Sequence, residues 1–331
     1  MPLLAALTGP ALALLLLGAL TSPLTLVVGR RRRLLRFSAY FLLYLLTDLT
    51  GVVAACWIWL RCLPLPAATR DARLQTLSYA LLARMLGFLR SSAGPVFGLR
   101  TTVHPAIPPR GEQPPVPLLV FARHAGPGDS FLLVHALLCE AGLRPQVVLK
   151  QFLQWDPSLD ILINRVPHCF VPPGGGGAET AREIGALATN LAPGEVVVLF
   201  PEGGNFTPQR RRRAIAWLRR TGQFRRAARA QRAQHVLPPR MPGSLALLDG
   251  AATAQADVVF VAHTGLDRMD SPTSIWHGVP LREPLRAGWW RVPAPDVPAG
   301  SGAREEWLTD QWSQVDAWIS EEWDRTGRRS D

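Results

Sequence analysis

The 331-residue sequence has little charge, few cysteines and almost no lysine. Asp, Glu, Lys and Arg together make up 18% of the residues, a low fraction for a soluble protein. The four cysteines show no C-x-x-C spacing, so the sequence predicts neither a zinc site nor a disulfide framework. Lys150 is the one lysine among 36 basic residues. Its presence in a chain that otherwise uses arginine makes it a candidate functional residue.

What the sequence does contain is a large positive charge. The formal net charge is +11 and the sequence pI is about 10.9. Such a balance favours anionic partners, which include a phospholipid surface, a phosphorylated substrate or nucleic acid. Hydrophobic residues make up 48% of the chain, enough for one sizeable domain with additional segments.

Two long apolar stretches predict a pair of membrane helices within residues 1–62. Residues 3–28 carry no charge and are long enough to cross a bilayer. In the second stretch, 37–60, the one charged residue is Asp48. A basic segment at 30–36 joins them, and no basic region precedes the first stretch, so a signal peptide is not expected. Two full crossings would place the downstream chain outside the cell, whereas a hairpin in one leaflet would leave it cytoplasmic. Both arrangements remain open.

The segments that flank the central region each predict a helix. In the connecting segment 63–94, leucines at helical spacing over 75–92 predict an amphipathic helix, for which core packing and interfacial membrane contact are both open. In the C-terminal extension 271–331, the tryptophans and aliphatic residues of 305–323 recur at the spacing of one face of a helix. We expect that helix to dock onto the domain.

The central region, residues 95–270, predicts an α/β fold, because short apolar runs alternate with helical segments. We expect a mixed, mostly parallel sheet covered by helices. The predicted strands cover 116–122, 145–150, 168–171, 195–200 and 257–262, and the predicted helices cover 130–142 and 178–193, the second preceded by a glycine turn at 174–177.

Two glycine-rich motifs follow predicted strands, where active sites of such sheets usually lie. They are "RHAGPGD" at 123–129 and "FPEGGNF" at 200–206. In the first motif a histidine could remove a proton from a hydroxyl while the aspartate orients its ring. The spacing alone is weak evidence, because His135 and Glu140 repeat it within a predicted helix and Asp129 could be an ordinary helix cap.

The two motifs in this order resemble the glycerolipid acyltransferase superfamily, whose best-known members are 1-acylglycerol-3-phosphate acyltransferases. Their pattern is His-x-x-x-x-Asp followed by Phe-Pro-Glu-Gly-Thr-Arg, and the resemblance covers roughly residues 95–265. The later stretch "HVLPPRMPGSLALL" at 235–248 is similar to a motif of the branch that includes lysocardiolipin acyltransferases. The resemblance implies that His124 is the general base and that Asp129 orients it.

The resemblance also implies roles for other residues. Lys150 would contact the developing oxyanion or a phosphate. The acceptor pocket would be formed by Glu202, Gly203, Gly204 and Asn205. No covalent acyl-enzyme and no bound cofactor or metal are implied, and acyl-CoA or acyl-ACP would serve as co-substrate.

The sequence departs from the family where arginines usually contact the acceptor phosphate. Gly204 and Asn205 replace the family's Thr-Arg, and proline stands in "PHCFVPP" (167–173) where a second arginine would be. Either other arginines substitute, with Arg165 and Arg210–Arg213 nearest in sequence, or the acceptor is a glycolipid or a lysolipid with a head group. Losing both arginines removes two bidentate phosphate contacts.

The stretch 207–232 is dense in arginine and also carries Trp217. Contact of Arg210, Arg211, Arg212, Arg213 and Trp217 with an anionic leaflet or with coenzyme A phosphates is one interpretation, and a solvated helix is the other. Nucleic acid is not expected as a partner.

The sequence therefore predicts a membrane-bound O-acyltransferase of phospholipid metabolism that acts on a lysophospholipid such as 1-acylglycerol-3-phosphate. The alternatives are an acyltransferase for a glycolipid or for a lysolipid with a head group, and a catalytically silent membrane-binding homologue. The expected partners are membrane phospholipids, the acyl donor and the lysolipid acceptor, with the active site facing the cytoplasm, where acyl-CoA is available.

Overall fold

A computed structural model describes residues 2–27, 32–109, 111–112, 116–172 and 177–327. Arg30 and Arg31 of the basic segment, Pro173 and Gly174–Gly176 lie outside the described residues. The helices are α1 (Pro2–Val27), α2 (Arg33–Cys62), α3 (Ala67–Phe97), α4 (Asp129–His135), α5 (Pro157–Ile163), α6 (Gly177–Thr189), α7 (Pro208–Arg220), α8 (Phe224–Arg232), α9 (Met241–Thr253), α10 (Pro272–Gly278) and α11 (Ser301–Arg325).

Seven strands form one sheet in the order β1-β7-β6-β2-β5-β3-β4. Every neighbouring pair is parallel except β6 and β7, which are antiparallel. The predicted mixed, mostly parallel α/β sheet is therefore confirmed. The strands are β1 (Thr101–His104), β2 (Leu118–Ala122), β3 (Arg144–Lys150), β4 (His168–Val171), β5 (Glu195–Leu199), β6 (Asp257–Thr264) and β7 (Leu285–Val292).

The central strands are buried on both faces, which explains their unbroken runs of valine, leucine and phenylalanine. On one face Leu119, Phe121 and Phe260 pack with residues of α6, α9 and α11. On the other face Leu118 and Val120 pack with residues of α4 and the turn that follows it. Alternate residues of one strand thus serve two separate cores, as a period of two requires.

The sequence did not predict β1 and β7. Both strands are only partly buried, and β1 has four residues at the edge of the sheet, so neither shows the continuous apolar run of the central strands. The predicted helix 130–142 is also corrected. Helix α4 ends at His135, and the chain continues as one π-helical turn over Ala136–Glu140 before β3.

Among the described residues, Arg33–Cys62 is the one helix that is long and apolar enough to cross a membrane by length and composition. A shorter apolar stretch, Thr8–Pro23, lies within α1, which packs against α2. A hydrogen bond near the middle of helix α2 also connects it to the domain. There Asp48 Oδ1 accepts a hydrogen bond from the backbone N–H of Ser158 at 3.0 Å. The pair of helices is thus attached to α5 rather than separate from the globular part.

The Trp-rich C-terminal helix packs on the sheet through a fully buried stripe. Leu308, Trp312, Val315 and Ile319 are each at most 2% exposed. Their spacing of three and four residues places them on one helix face. The indole N–H of Trp312 donates to the carbonyl of Leu237 at 3.0 Å, which ties α11 to the chain just before α9.

Candidate active site

The site begins where β2 ends, and a buried arginine anchors it. Arg123 is 1% exposed and forms an ion pair with Asp267, which is itself nearly buried. Its guanidinium also donates to the carbonyls of His235 (2.7 Å) and His263 (2.6 Å). Burial would raise the pKa of Asp267, but the Arg123 guanidinium holds that pKa well below its usual range. The residue that precedes His124 is thus fixed to two other segments of the chain.

His124 and Asp129 form the pair that the sequence predicts as candidates. Nδ1 of His124 lies 2.9 Å from each carboxylate oxygen of Asp129. The carboxylate also accepts the backbone N–H groups of Ala125 (2.8 Å), Gly126 (3.1 Å) and Ser130 (2.6 Å). Each of these bonds favours the ionised form of Asp129.

Asp129 is therefore an ionised acceptor. Burial would raise its pKa, but the hydrogen bonds from His124 and His263 hold that pKa far below its usual value. An ionised carboxylate at Nδ1 keeps the proton of a neutral imidazole on that nitrogen. Nε2 of His124 is then the atom that can accept a proton from a substrate.

The small residues between the two members of the pair are needed for close packing. A Cβ on Gly126 would lie 2.6 Å from the side chain of Leu266, and Gly128 has a φ of +83° just before α4. Only glycine adopts that backbone readily. The glycines thus allow the loop to turn and place Asp129 back under the imidazole.

A second histidine, which the sequence reading missed, contacts Asp129 from the other side. Nε2 of His263 lies 3.5 Å from Oδ2 of Asp129 and 3.1 Å from the carbonyl of Arg123. His263 is 6% exposed and lies near the end of β6, the parallel neighbour of β2. The rule that sites collect at the carboxyl ends of parallel strands was the signal that could have found it.

The two motifs meet because β2 and β5 are parallel neighbours. The N–H of Phe206 donates to the carbonyl of His124 at 2.8 Å. Glu202 lies beneath this junction and is 3% exposed. Burial raises the pKa of Glu202 to about 8, while the Arg123 guanidinium opposes that shift. Glu202 is therefore mainly neutral at pH 7, as a buried group beneath the loop.

Three cations converge on the Gly203–Gly204 loop. A Cβ on Gly204 would lie 3.0 Å from Nη1 of Arg210 and 3.7 Å from Nζ of Lys150. A Cβ on Gly203 would lie 2.6 Å from Nε of Arg240. Within the described residues none of the three cations forms an ion pair with an acidic side chain. Three unpaired cations at one loop form a candidate anion site.

The charges of this cluster act on Lys150. Burial lowers the pKa of Lys150, and the positive charges of Arg210 and Arg240 lower it further, whereas Asp129 opposes the shift. Arg240 was missed as a site residue, although it lies within the third motif at 235–248.

The remaining candidates lie elsewhere or at the rim. Nη1 of Arg165 donates to the carbonyl of Ala55 in α2 at 3.0 Å, so this arginine faces the N-terminal helices. Asn205 offers its carbonyl to Arg210 at 3.0 Å. On α7, Arg212, Arg213 and Trp217 are exposed, and Arg211 donates to Gln231 in α8. Of the proposed substitute arginines, the structure brings Arg210 to the Gly204 loop.

An apolar cavity lies between the sheet and α4. Asp129 and His263 belong to its wall, which identifies the end nearest the chemistry. Its wall also carries Arg90, His135 and Glu140, and its apolar lining is formed mainly by Val103, Ile107, Leu118, Val120, Leu132, Leu133, Leu137, Leu143, Val259, Val261, Leu285 and Trp289. Within the described residues, no group of three or more His, Cys, Asp or Glu side chains is placed to hold a metal ion.

The acyltransferase family model matches residues 109–241, which include both strand-end motifs. Among solved structures, the chain is similar to the 1-acyl-sn-glycerophosphate (LPA) acyltransferase PlsC from Thermotoga maritima, with 15% identity, coverage of 89% of this chain and 100% of that chain, and a TM-score of 0.49. No curated protein sequence matches the chain. The family match confirms the resemblance predicted from the motifs.

Proposed function

We propose that this protein is a membrane-bound O-acyltransferase, because residues 109–241 match the acyltransferase family model. It transfers an acyl group from acyl-CoA or acyl-ACP to the hydroxyl of a lysophospholipid, with 1-acylglycerol-3-phosphate as the reference acceptor. The observation that carries the proposal is the ionised, fully hydrogen-bonded Asp129 that orients His124 beside three unpaired cations.

The proposed reaction uses His124 first as a base and then as an acid. Nε2 of His124 accepts the proton of the acceptor hydroxyl as its oxygen attacks the thioester carbonyl. The carbon–sulfur bond then breaks, and the thiolate takes the proton from the imidazolium. Asp129 stabilises the imidazolium between these steps, and the products are the ester and the free thiol.

The cation cluster supports a phosphate-bearing acceptor. Lys150, Arg210 and Arg240 would bind the phosphate oxygens in place of the two arginines that the family pattern supplies. Gly204 is part of this arrangement, because a side chain there would approach Arg210 to 3.0 Å. We infer that the small residue leaves room for an arginine from α7. This favours the lysophospholipid over the glycolipid alternative.

The apolar cavity supports a fatty acyl donor. It begins at Asp129 and His263 and continues between the sheet and α4 among aliphatic side chains. We propose that the thioester end of a chain bound there lies toward Asp129. Burial of each methylene group contributes roughly 0.8 kcal/mol, so an apolar lining of this kind favours an acyl chain over a polar ligand.

We also propose that the protein sits on a membrane surface through two regions. Helix α2 exposes Trp57 (59%) and Trp59 (47%), and the α7–α8 pair exposes Trp217 (52%) and Phe224 (69%) among its arginines. Tryptophan favours the interface, and arginines attract anionic lipid. The hydrogen bond from the backbone N–H of Ser158 in α5 to Asp48, near the middle of α2, favours a hairpin in one leaflet, with the domain on the cytoplasmic side.

An acceptor panel tests the proposal. Full-length protein in liposomes receives labelled acyl-CoA together with 1-acylglycerol-3-phosphate, a lysolipid with a head group, or a glycolipid. We expect the highest kcat/KM with 1-acylglycerol-3-phosphate and loss of that activity in His124→Ala. Equal or faster turnover of the glycolipid would refute the acceptor assignment. No transfer to any acceptor by wild type, with either acyl-CoA or acyl-ACP, would refute the enzyme proposal.

A further inference from the structure

Two histidines share the carboxylate of Asp129, and the parallel pairing of β2 with β6 brings both of them to it. Ala122 at the end of β2 is in register with Val261 of β6. His124 and His263 each lie two residues further along, and side chains two residues apart leave a strand on the same face. Nδ1 of His124 lies 2.9 Å from Asp129, and Nε2 of His263 lies 3.5 Å from it.

Nε2 of His263 carries the proton of a neutral ring. Its polar neighbours are the carbonyl oxygen of Arg123 at 3.1 Å and Oδ2 of Asp129 at 3.5 Å. Both neighbours are acceptors, because Asp129 is ionised, so the N–H is shared between them. Nδ1 is buried without a hydrogen-bond partner among the described residues, and a second proton there would be an unpaired buried donor. His263 is thus a neutral donor to the carboxylate.

Arg123 fixes the direction of this N–H. Its guanidinium donates to the carbonyl of His263 at 2.6 Å, while its own carbonyl accepts from Nε2 of the same residue. The guanidinium is held in turn by its ion pair with Asp267. The buried imidazole is therefore bonded through both its backbone and its ring, and its N–H stays directed at Asp129.

The donors around Asp129 determine how strongly it stabilises a proton on His124. Burial would raise the pKa of Asp129, and the hydrogen bonds from His124 and His263 hold that pKa below its usual value. A carboxylate that loses one donor has more negative charge left for its remaining partners. It would then stabilise the imidazolium of His124 more strongly, so that the neutral form would appear only at higher pH.

We propose that His263 is a positioning residue that acts through Asp129 and keeps His124 in the neutral form that can accept a proton. The inference rests on the proposed function, in which His124 removes the proton of the acceptor hydroxyl. It adds a third side chain, from β6, to the two that the strand-end motif supplies.

Other charged or titratable side chains lie near Asp129, and a substitution of His263 leaves all of them in place. Arg123 beyond β2 and Asp267 beyond β6 form the buried ion pair. Lys150 at the end of β3 and Glu202 after β5 each interact electrostatically with Asp129. A change in titration that follows from a variant at position 263 therefore reports on the lost donor.

Two amide variants that differ by one methylene group test the position of the donor. The amide nitrogen of His263→Gln can occupy the place of Nε2, whereas that of His263→Asn reaches only the place of Nδ1. For full-length protein in liposomes, kcat/KM with labelled acyl-CoA and 1-acylglycerol-3-phosphate is measured against pH. We expect the acidic limb of the profile to move up by about one pH unit in His263→Asn, which is about tenfold in proton affinity, and to stay in place in His263→Gln.

A second measurement needs no turnover. Titration of His124 by NMR, with isotope-labelled histidine in detergent, gives the midpoint of its protonation, and His124→Ala identifies its signal. We expect the same upward shift in His263→Asn alone. His168→Asn is the matched control, because His168 lies on β4 at the edge of the sheet, and its Nδ1 lies 2.9 Å from the carbonyl of Val166. The control should leave both midpoints unchanged.

Three results separate the inference from its alternatives. A slower His263→Asn with an unmoved acidic limb would overturn the inference, because it would leave His263 a purely structural role. Equal shifts in His263→Asn and His263→Gln would also overturn it, since the N–H at Nε2 would not be the cause. Absence of transfer by wild type would contradict the proposed function, while the NMR midpoints would still decide whether His263 acts on His124.

Discussion

His124–Asp129 and His135–Glu140 have the same spacing and lie on either side of the same short helix, yet their surroundings differ. Asp129 is 2% exposed in its side chain and lies 2.9 Å from its histidine. Glu140 is 49% exposed, and its oxygen lies 3.3 Å from Nδ1 of His135. The two pairs show how little a five-residue step specifies by itself.

The difference arises from the backbone donors around each acid. Asp129 stands where the loop enters α4, and three N–H groups point to its carboxylate. Glu140 stands at the end of the π-helical turn, where the N–H of Ala141 already donates to the carbonyl of Ala136 at 2.9 Å. Free N–H groups occur at helix starts and are used up at helix ends. Burial also lowers the pKa of His135, with Glu140 opposing, so this histidine favours its neutral form.

The largest expected effect separates the two histidines. His124→Ala should reduce kcat by about a thousandfold or more, because it removes the proposed general base. His135→Ala should change kcat/KM by less than about tenfold, because it alters only the cavity wall. Steady-state acyl transfer by both variants measures the contrast, with circular dichroism as a check of folding. Equal losses in the two variants would show that the surroundings of the pairs do not decide their roles.

Substitutions of the two acids, Asp129 and Glu140, should differ in the same way, with a smaller loss of kcat than His124→Ala. Asp129→Asn should lower kcat by about a hundredfold or more, since the amide no longer stabilises the imidazolium or fixes its tautomer. Glu140→Gln changes an exposed side chain and should leave kcat within about threefold of wild type. Measurement of kcat at saturating donor and acceptor tests this. A wild-type kcat in Asp129→Asn would contradict the orienting role.

The cations beside the first pair should affect acceptor binding more than chemistry. Arg240→Ala should raise the KM for 1-acylglycerol-3-phosphate by about tenfold while kcat changes little, because one of the proposed phosphate contacts is lost. Arg213→Ala, on the exposed side of α7, is the control and should leave KM unchanged. A rise of KM in both variants would indicate a general charge effect instead of a phosphate site.

Glu202 should have the smallest effect on turnover but a distinct effect on stability. Burial raises its pKa from 4.5 to about 8, so its contribution to folding is fully present below pH 4.5 and is lost as the pH rises through about 8. Glu202→Gln removes this loss. Thermal unfolding in detergent should therefore be less pH-dependent in the variant between these limits, while activity at pH 7 stays within about threefold. An unchanged pH profile would contradict the raised pKa.

The central strands and the two strand-end motifs could be predicted from sequence, because buried parallel strands require continuous apolar runs and sites follow their carboxyl ends. The edge strands β1 and β7 could not, since partial burial leaves no such run. Arg240 and His263 were missed because each reaches the site from a segment far along the chain. Arg165 illustrates the reverse case, since nearness in sequence to the motifs did not bring it to the Gly204 loop.

The sequence by itself determined the α/β sheet and the two strand-end motifs, because these depend on local periodicity and on residues within single loops. The resemblance of these motifs to a known family implied that His124 is the candidate base. Only the tertiary structure showed the different surroundings of His124–Asp129 and His135–Glu140, gathered Lys150, Arg210 and Arg240 at one loop, and buried Nδ1 of His263 without a hydrogen-bond partner among the described residues. These features depend on the order of strands in the sheet and on which backbone groups are already hydrogen-bonded. Neither can be read from spacing along the chain.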